Sequence, residues 1–274
     1  MLIIGEKLNG TLKKTAAAIT AAAITARDAD FVQDLARKQV EAGADYLDVN
    51  AGTGSGQEAD DLVWLVETVQ SVVDVPLCLD SANPVALKSG MECVQRTPMV
   101  NSISGEASRL DDILPLVTEA GSPVIALLLS DSGIPDDVEG RLRIGHHILE
   151  RTRQAGVPDE KVFIDPLAMA ISTKTDGALM VLETMRVLRE ENSKVKFSIG
   201  LSNISFGLPA RTLVNQAFLA QLLATGLDAA IINPMEQGLV NMLYATEMIL
   251  GRDRFCRNYT TAFRKGKVKL ETAV

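Results

Sequence analysis

Glu41-Ala42-Gly43-Ala44-Asp45-Tyr46-Leu47-Asp48-Val49-Asn50 carries the fold in one stretch. A segment of helical period that starts near Asp28 ends on Glu41-Ala42, and Gly43 closes it. A short apolar run follows and stops on an acid and an amide. Glycine ends helical segments in the same way at Gly121, Gly156 and Gly226, each ahead of a strand-like run.

Working outward, the apolar runs are Leu2 to Gly5, Tyr46 to Val49, Pro76 to Leu79, Met99 to Ser102, Val124 to Leu129, Val162 to Ile164, Phe197 to Leu201 and Ala229 to Ile232. Helical segments alternate with them: Asp28 to Ala42, Gln57 to Val72, Pro84 to Gln95, Ser108 to Ala120, Val138 to Ala155, Asp176 to Glu191, Pro209 to Ala224 and Gly238 to Leu250. Eight strand-helix units of roughly 34 residues predict a (β/α)8 TIM barrel, one closed domain over residues 1–250. A doubly wound open sheet has the same alternation, but it would usually carry GxGxxG after the first strand, where this chain reads GEKLNG. The run from Thr15 to Thr25, TAAAITAAAIT, follows the first strand and is expected to belong to the mouth loop, with the helix proper starting near Asp28.

Composition narrows the function classes. The 274 residues are 47% hydrophobic and 23% charged, with a net charge of −8, and an acidic body argues against a nucleic-acid partner. No apolar run reaches the roughly 18 to 20 residues of a membrane span, and MLIIGEKLNG lacks the marks of a secretory leader, so a cytoplasmic protein is expected. Cys78, Cys93 and Cys256 share no CxxC spacing, so neither structural zinc nor a disulfide framework is expected. The two histidines, His146 and His147, are adjacent on a helical segment, whereas a helical metal pair needs i, i+4 spacing. No bound metal is expected. Cys78 reads as core and Trp64 as packing on the second helix.

In such a barrel the active site forms where the strands end. Those positions hold Glu6 and Asn9, Asp48 and Asn50, Asp80 and Ser81, Asn101 and Ser102, Ser130 and Asp131, Asp165, Ser202 and Asn203, and Asn233. Turn and cap chemistry explains any one of them, but capping alone would use Thr, Gly and Ser as freely. A mouth of carboxylates and amides suits a flat, nitrogen-rich ligand whose ring N–H and exocyclic amine pair with one carboxylate. A phosphate ligand ranks second, because only Arg211 lies near the glycines of GLSNISFGLP.

Specific strings then resemble a known family. Gly43 to Asn50, and LCLDSANP at Leu77 to Pro84, resemble the pterin-binding barrels that include dihydropteroate synthase. VNSISGE at Val100 to Glu106, IDPLA at Ile164 to Ala168, GLSNISFGLPAR at Gly200 to Arg211 and GLDAAIINP at Gly226 to Pro234 resemble, more narrowly, the methyltetrahydrofolate:corrinoid protein methyltransferases. The resemblance implies that Asp80, Asn101 and Asp165 hydrogen-bond the pterin ring and that Asn203 contacts N5, the nitrogen that carries the methyl group. It gives Asp48, Asn50 and Glu6 further places in the pocket. It also implies 5-methyltetrahydrofolate as substrate, a corrinoid supplied by a partner protein, and a homodimer. After Asp165-Pro166-Leu167 the family often continues with a second proline, whereas this chain reads Ala168-Met169-Ala170. A dihydropteroate synthase would be expected to carry a Pro-Asp-Ser-Phe type string and late basic residues for a diphosphate, and neither is evident. A pterin-condensing synthase and a folate-binding protein without turnover stay open as alternatives.

From Gly251 the charge balance reverses: seven Lys and Arg stand against Asp253 and Glu271, so residues 251–274 carry +5 and the rest of the chain −13. This basic C-terminal extension is expected to be solvated, with docking on a second subunit or on the corrinoid protein as the alternative.

Overall fold

The strands β1 (Leu2–Asn9), β2 (Tyr46–Asn50), β3 (Leu77–Asp80), β4 (Met99–Ser104), β5 (Val124–Leu127), β6 (Val162–Asp165), β7 (Lys196–Phe197) and β8 (Ala229–Ile232) form one parallel sheet in a computed structural model that describes residues 1–10, 16–52 and 56–269. Their order is β7-β6-β5-β4-β3-β2-β1-β8, so every neighbour except β1–β8 is consecutive in sequence. The remaining seam, between β7 and β8, is closed by the backbone. Asp228 N–H donates to Phe197 C=O at 3.0 Å and Ile231 N–H to Ile199 C=O at 2.9 Å. The Asp228 carboxylate reinforces it, accepting from Phe197 N–H at 2.9 Å and from the Arg189 guanidinium at 2.6 Å. The fold is a (β/α)8 TIM barrel.

Between the strands run α1 (Ala16–Thr25), α2 (Ala29–Ala42), α3 (Glu58–Gln70), α4 (Pro84–Cys93), α5 (Ala107–Ala120), α6 (Val138–Gln154), α7 (Gly177–Glu191), α8 (Arg211–Thr225) and α9 (Gln237–Ile249). The glycines that close them have the expected left-handed geometry: at Gly43 (φ +109°) its own N–H donates to Val40 C=O and the next N–H, of Ala44, to Gln39 C=O, and Gly226 (φ +102°) caps α8 likewise. Asp28 caps α2 by accepting from Phe31 N–H at 3.1 Å.

The period of two along each strand divides the residues between two cores. Outward residues such as Leu47, Leu79 and Ile164 pack with Leu62, Leu87 and Ile148 of the helices; all are fully buried, each side chain stabilising the fold by about 1.5–3 kcal/mol. Inward residues Ile4, Cys78, Met99, Ile125, Phe163 and Ala229 fill the barrel as a separate apolar plug. Two positions further along the same strands lie Glu6, Asp80, Asn101 and Asp165. The plug is therefore the floor on which the polar mouth stands.

Two expectations need correction. Residues 16–25, expected in the mouth loop, form helix α1. Alanine is the strongest helix former, and the run hides its period because it has no polar face; Ile24, Ala23 and Thr20 are buried. Thr15 lies outside the described residues. The C-terminal extension, expected to be solvated, keeps its basic side chains exposed but is tied to the barrel as far as Lys269 rather than loose. Helix α10 (Arg257–Arg264) buries Ala262, and Val268 is buried beyond it. Asp253 turns the chain into α10 by accepting from Asn258 and Tyr259 N–H, both at 2.9 Å. Gln237 and Asn241 of α9 bind Lys267 C=O and Lys269 C=O, each at 2.7 Å. Glu271 lies outside the described residues. No helix among them is long and apolar enough to cross a membrane.

Candidate active site

The ends of β1 to β4 are stitched together by side-chain amides. Asn101 donates to Asp48 at 3.2 Å and Asn50 donates to Asp80 at 2.8 Å. Asn9 reaches both acids, 3.4 Å from Asp48 and 3.3 Å from Asp80. Three amides thus span two carboxylates. Asp48 is fully buried, and burial followed by the charge of Asp80 pushes its carboxyl well above the usual range. Asp80 is also raised, chiefly by burial, while the Asn50 and Asn9 amides and the Arg109 charge pull it back. Two acids so close resist holding two full negative charges. An N–H-rich ligand would relieve that by donating into them.

Opposite this net, Asp165 ends β6 and is 5% exposed. Its oxygens accept from Leu167 N–H at 2.8 Å and Gly200 N–H at 3.3 Å, the second tying β6 to the chain after β7. Burial pushes its carboxyl up to about 6, against those two N–H groups and the Arg141 charge. Asn203 sits on a 3-10 helix, Leu201–Ser205, rather than at a strand end. It is exposed, and its side-chain amide makes no hydrogen bond among the described residues. Gly200 lies directly beneath it, since a Cβ built there would stand 3.2 Å from Asn203 Nδ2. Gly200 therefore links Asp165 to Asn203.

Glu6 belongs to neither group. It faces inward from β1 beside Lys7 at 3.4 Å, and burial raises its carboxyl, with Lys7 pulling it down, Glu236 adding to the rise and Arg211 opposing it. Arg211 is anchored in its own loop by Ser205 Oγ at 3.0 Å. Of the residues expected at the site, the structure brings Asp48, Asn50, Asp80 and Asn101 into one net, joins Asp165 and Asn203 through Gly200, and leaves Glu6 apart.

Other side chains shape the mouth without a sequence signal. Glu58, in the first turn of α3, accepts from the Ser81 hydroxyl and from Asn83 Nδ2 at 3.4 Å. Arg109 donates to Ala82 C=O at 2.7 Å. Arg141 is fully buried and donates to Pro166 C=O at 2.7 Å. Spacing alone could not find them, because each comes from a helix. His146 is a surface residue of α6, 2.6 Å from Glu191. No group of three or more His, Cys, Asp or Glu side chains that could hold a metal ion occurs among the described residues.

Known proteins resemble this chain over most of its length. A family profile described as pterin binding enzyme matches residues 12–233. The chain is 38% identical over 270 residues to the methylcorrinoid:tetrahydrofolate methyltransferase of Eubacterium limosum, with 98% of each chain covered. It is 30% identical over 246 residues to methionine synthase of Mycobacterium leprae (strain TN), covering 85% of this chain but spanning only 20% of that protein. Among solved structures, a Yersinia pestis dihydropteroate synthase in a sulfonamide drug complex superimposes with a TM-score of 0.69 at 16% identity, covering 92% of this chain and 94% of that one. Dihydropteroate synthase from Xanthomonas albilineans in complex with 7,8-dihydropteroate gives 0.66 at 18% identity over 91% and 93%. At such identities these likenesses establish the barrel fold. The profile match, with the relative at 38% identity, establishes that the chain belongs to the pterin binding enzyme family.

Proposed function

We propose that this chain is a methyltransferase that moves a methyl group between N5 of 5-methyltetrahydrofolate and the cobalt of a corrinoid held by a partner protein. The observation that carries the reading is the likeness over 98% of both chains to the Eubacterium limosum methyltransferase. That relative's name puts the methylcorrinoid first, which favours delivery of the methyl group to tetrahydrofolate, although the chemistry runs either way.

The mouth supplies what the reaction needs. Asp80, Asn101 and Asp165, with Asp48 and Asn50 behind them, hydrogen-bond the edge of the pterin and fix N5 at the open end of the barrel. In one direction the cobalt electron pair takes the methyl carbon and the C–N5 pair returns to nitrogen, which takes up a proton; in the other the N5 lone pair takes the methyl carbon, the cobalt–carbon pair stays on cobalt and the N5 proton leaves to solvent. An amine nitrogen leaves poorly unless its developing negative charge is met by a proton or a hydrogen bond. Asn203 meets it as acceptor from protonated N5 or as donor to the neutral nitrogen, and having no titrating proton it stabilises rather than acts as general acid. The proton comes from solvent or from a water held by a mouth carboxylate.

The barrel of residues 1–250 does this work, and residues 251–274 form a basic extension. A homodimer has support in an apolar face: Leu213 of α8 and Phe263 of α10 are 67% and 55% exposed around a groove that Met242, Ala245 and Tyr259 line. We place the protein in the cytoplasm. Incubation with methyl-labelled 5-methyltetrahydrofolate and cob(I)alamin tests the reading: label should appear in the corrinoid at a rate proportional to protein. Label that stays on folate would reject it.

A further inference from the structure

Arg141 is a costly residue that the proposed reaction does not use. Its side chain is fully buried, in the first turn of α6, where the helix dipole disfavours a cation. It makes no ion pair among the described residues. Instead its guanidinium holds two backbone carbonyls of the rim, Pro166 after β6 at 2.7 Å and Pro135 after β5 at 3.4 Å, while one terminal nitrogen, Nη2, finds no partner. Burial pulls its own pKa down, and the charges that oppose this are Asp165 first, then Asp136, Asp137 and Asp176. Asp136 and Asp176 are shared with Lys174, 3.9 Å from each. Asp137 is committed to capping α6 through Gly140 N–H.

What Arg141 holds is the turn that aims Asp165. Pro166 is the residue between Asp165 and Leu167; Leu167 sits in left-handed backbone (φ +61°), uncommon for a side chain of its kind, and its N–H points into the Asp165 carboxylate. Among the described residues, Arg141 is the cation whose charge lowers the Asp165 pKa. We propose that Arg141 is the positioning residue for Asp165: its guanidinium pins the Pro166 carbonyl, fixing the turn, and its buried charge keeps the carboxylate anionic for ligand N–H groups. The proposal rests on the reading of Asp165 as a pterin acceptor, but its electrostatic half is measurable without ligand.

The two jobs separate by substitution. Arg141→Gln keeps a donor for Pro166 C=O and removes the charge, whereas Arg141→Lys keeps the charge. Carbon NMR of protein labelled at the aspartate carboxyl carbon, with the Asp165 signal identified by its loss in Asp165→Asn, reads the midpoint directly. The wild-type midpoint should lie at about 6. Arg141→Gln should raise it by about one pH unit, which leaves about half of the carboxyl ionised at pH 7 and weakens methyltetrahydrofolate binding about twofold at that pH; Arg141→Lys should keep the midpoint within a few tenths and leave the affinity unchanged. An unmoved midpoint in Arg141→Gln overturns the proposal, as does a lysine variant as damaged as the glutamine one, which a purely structural role predicts. If Arg141→Gln does not fold, Arg141→Lys decides alone, and a rise of about a unit in its midpoint contradicts the proposal. A wild-type protein that binds no methyltetrahydrofolate, with a midpoint that still responds to Arg141, would reject the pterin reading and leave the electrostatic coupling intact.

Discussion

Asn50 donates its side-chain amide to Asp80 across 2.8 Å, from the end of β2 to the end of β3. The bond fixes which way the Asp80 carboxylate faces, and Asn9 shares the same oxygen at 3.3 Å. Asn50→Ala should weaken methyltetrahydrofolate binding by about 1–2 kcal/mol. Asn50→Asp should be worse, since a further carboxylate beside Asp80 and Asp48 raises all their pKa values. Calorimetric titration checks both, and equal affinities in all three proteins would remove the net from the binding site.

Asp165 gives a pH dependence with a definite sign. Its folded-state pKa, about 6, lies above the ordinary 3.8, so between these values the folded protein binds more protons than the unfolded chain. Stability therefore falls as pH rises from about 4 to 6 and the cost is fully present above that, at about 3 kcal/mol for a shift of this size. Asp165→Asn should stabilise the fold by about 1–3 kcal/mol at pH 8, less whatever the new amide loses in hydrogen bonds, while weakening folate binding. Denaturant melts at pH 5 and 8 measure this: the gain should shrink at the lower pH. A stability difference between variant and wild type that stays the same, or moves in the variant's favour, on going from pH 8 to pH 5 would contradict the sign.

Gly200 allows Asn203 its position. A methyl group at Gly200 would lie 3.2 Å from Asn203 Nδ2, so Gly200→Ala should push the amide aside by a few tenths of an ångström. Its φ of −76° admits alanine without backbone strain. We expect kcat to fall roughly tenfold with KM for folate changed less than about threefold, against a loss of about 10²–10³ in kcat for Asn203→Ala. A fall in affinity without a fall in kcat would make Asn203 a binding residue only.

Leu213 and Phe263 test the dimer. Both are mostly exposed, so Leu213→Asp with Phe263→Asp should leave the melting temperature of the isolated chain nearly unchanged. Sedimentation should show a dimer for the wild type and a monomer for the double variant. A wild-type monomer at micromolar concentration would reject the homodimer.

The barrel was legible because strand and helix periods differ and glycine separates them, as at Gly43 and Gly226. Tyr46 to Asn50 alternates sides on a period of two, which puts Asp48 and Asn50 on the face opposite Leu47 and Val49. What escaped was whatever depends on distance through space. Helix α1 lacks a polar face and so lacks a period. Arg141 and Glu58 come to the mouth from helices, where nothing in their spacing distinguishes them from surface charges. Asn203 was expected at a strand end, yet it stands on a 3-10 helix above Gly200, irregular backbone that no periodicity encodes.

Methyl transfer at this mouth is the proposed activity, and the absorbance of the corrinoid reports it directly. Under anaerobic, single-turnover conditions, cob(I)alamin mixed with 5-methyltetrahydrofolate and wild-type protein should lose its cob(I)alamin bands and gain those of methylcobalamin, and adding tetrahydrofolate in excess should drive the spectrum back. A cob(I)alamin spectrum that stays unchanged, with protein shown by calorimetry to hold the folate, would contradict the account and leave a folate-binding barrel without this reaction.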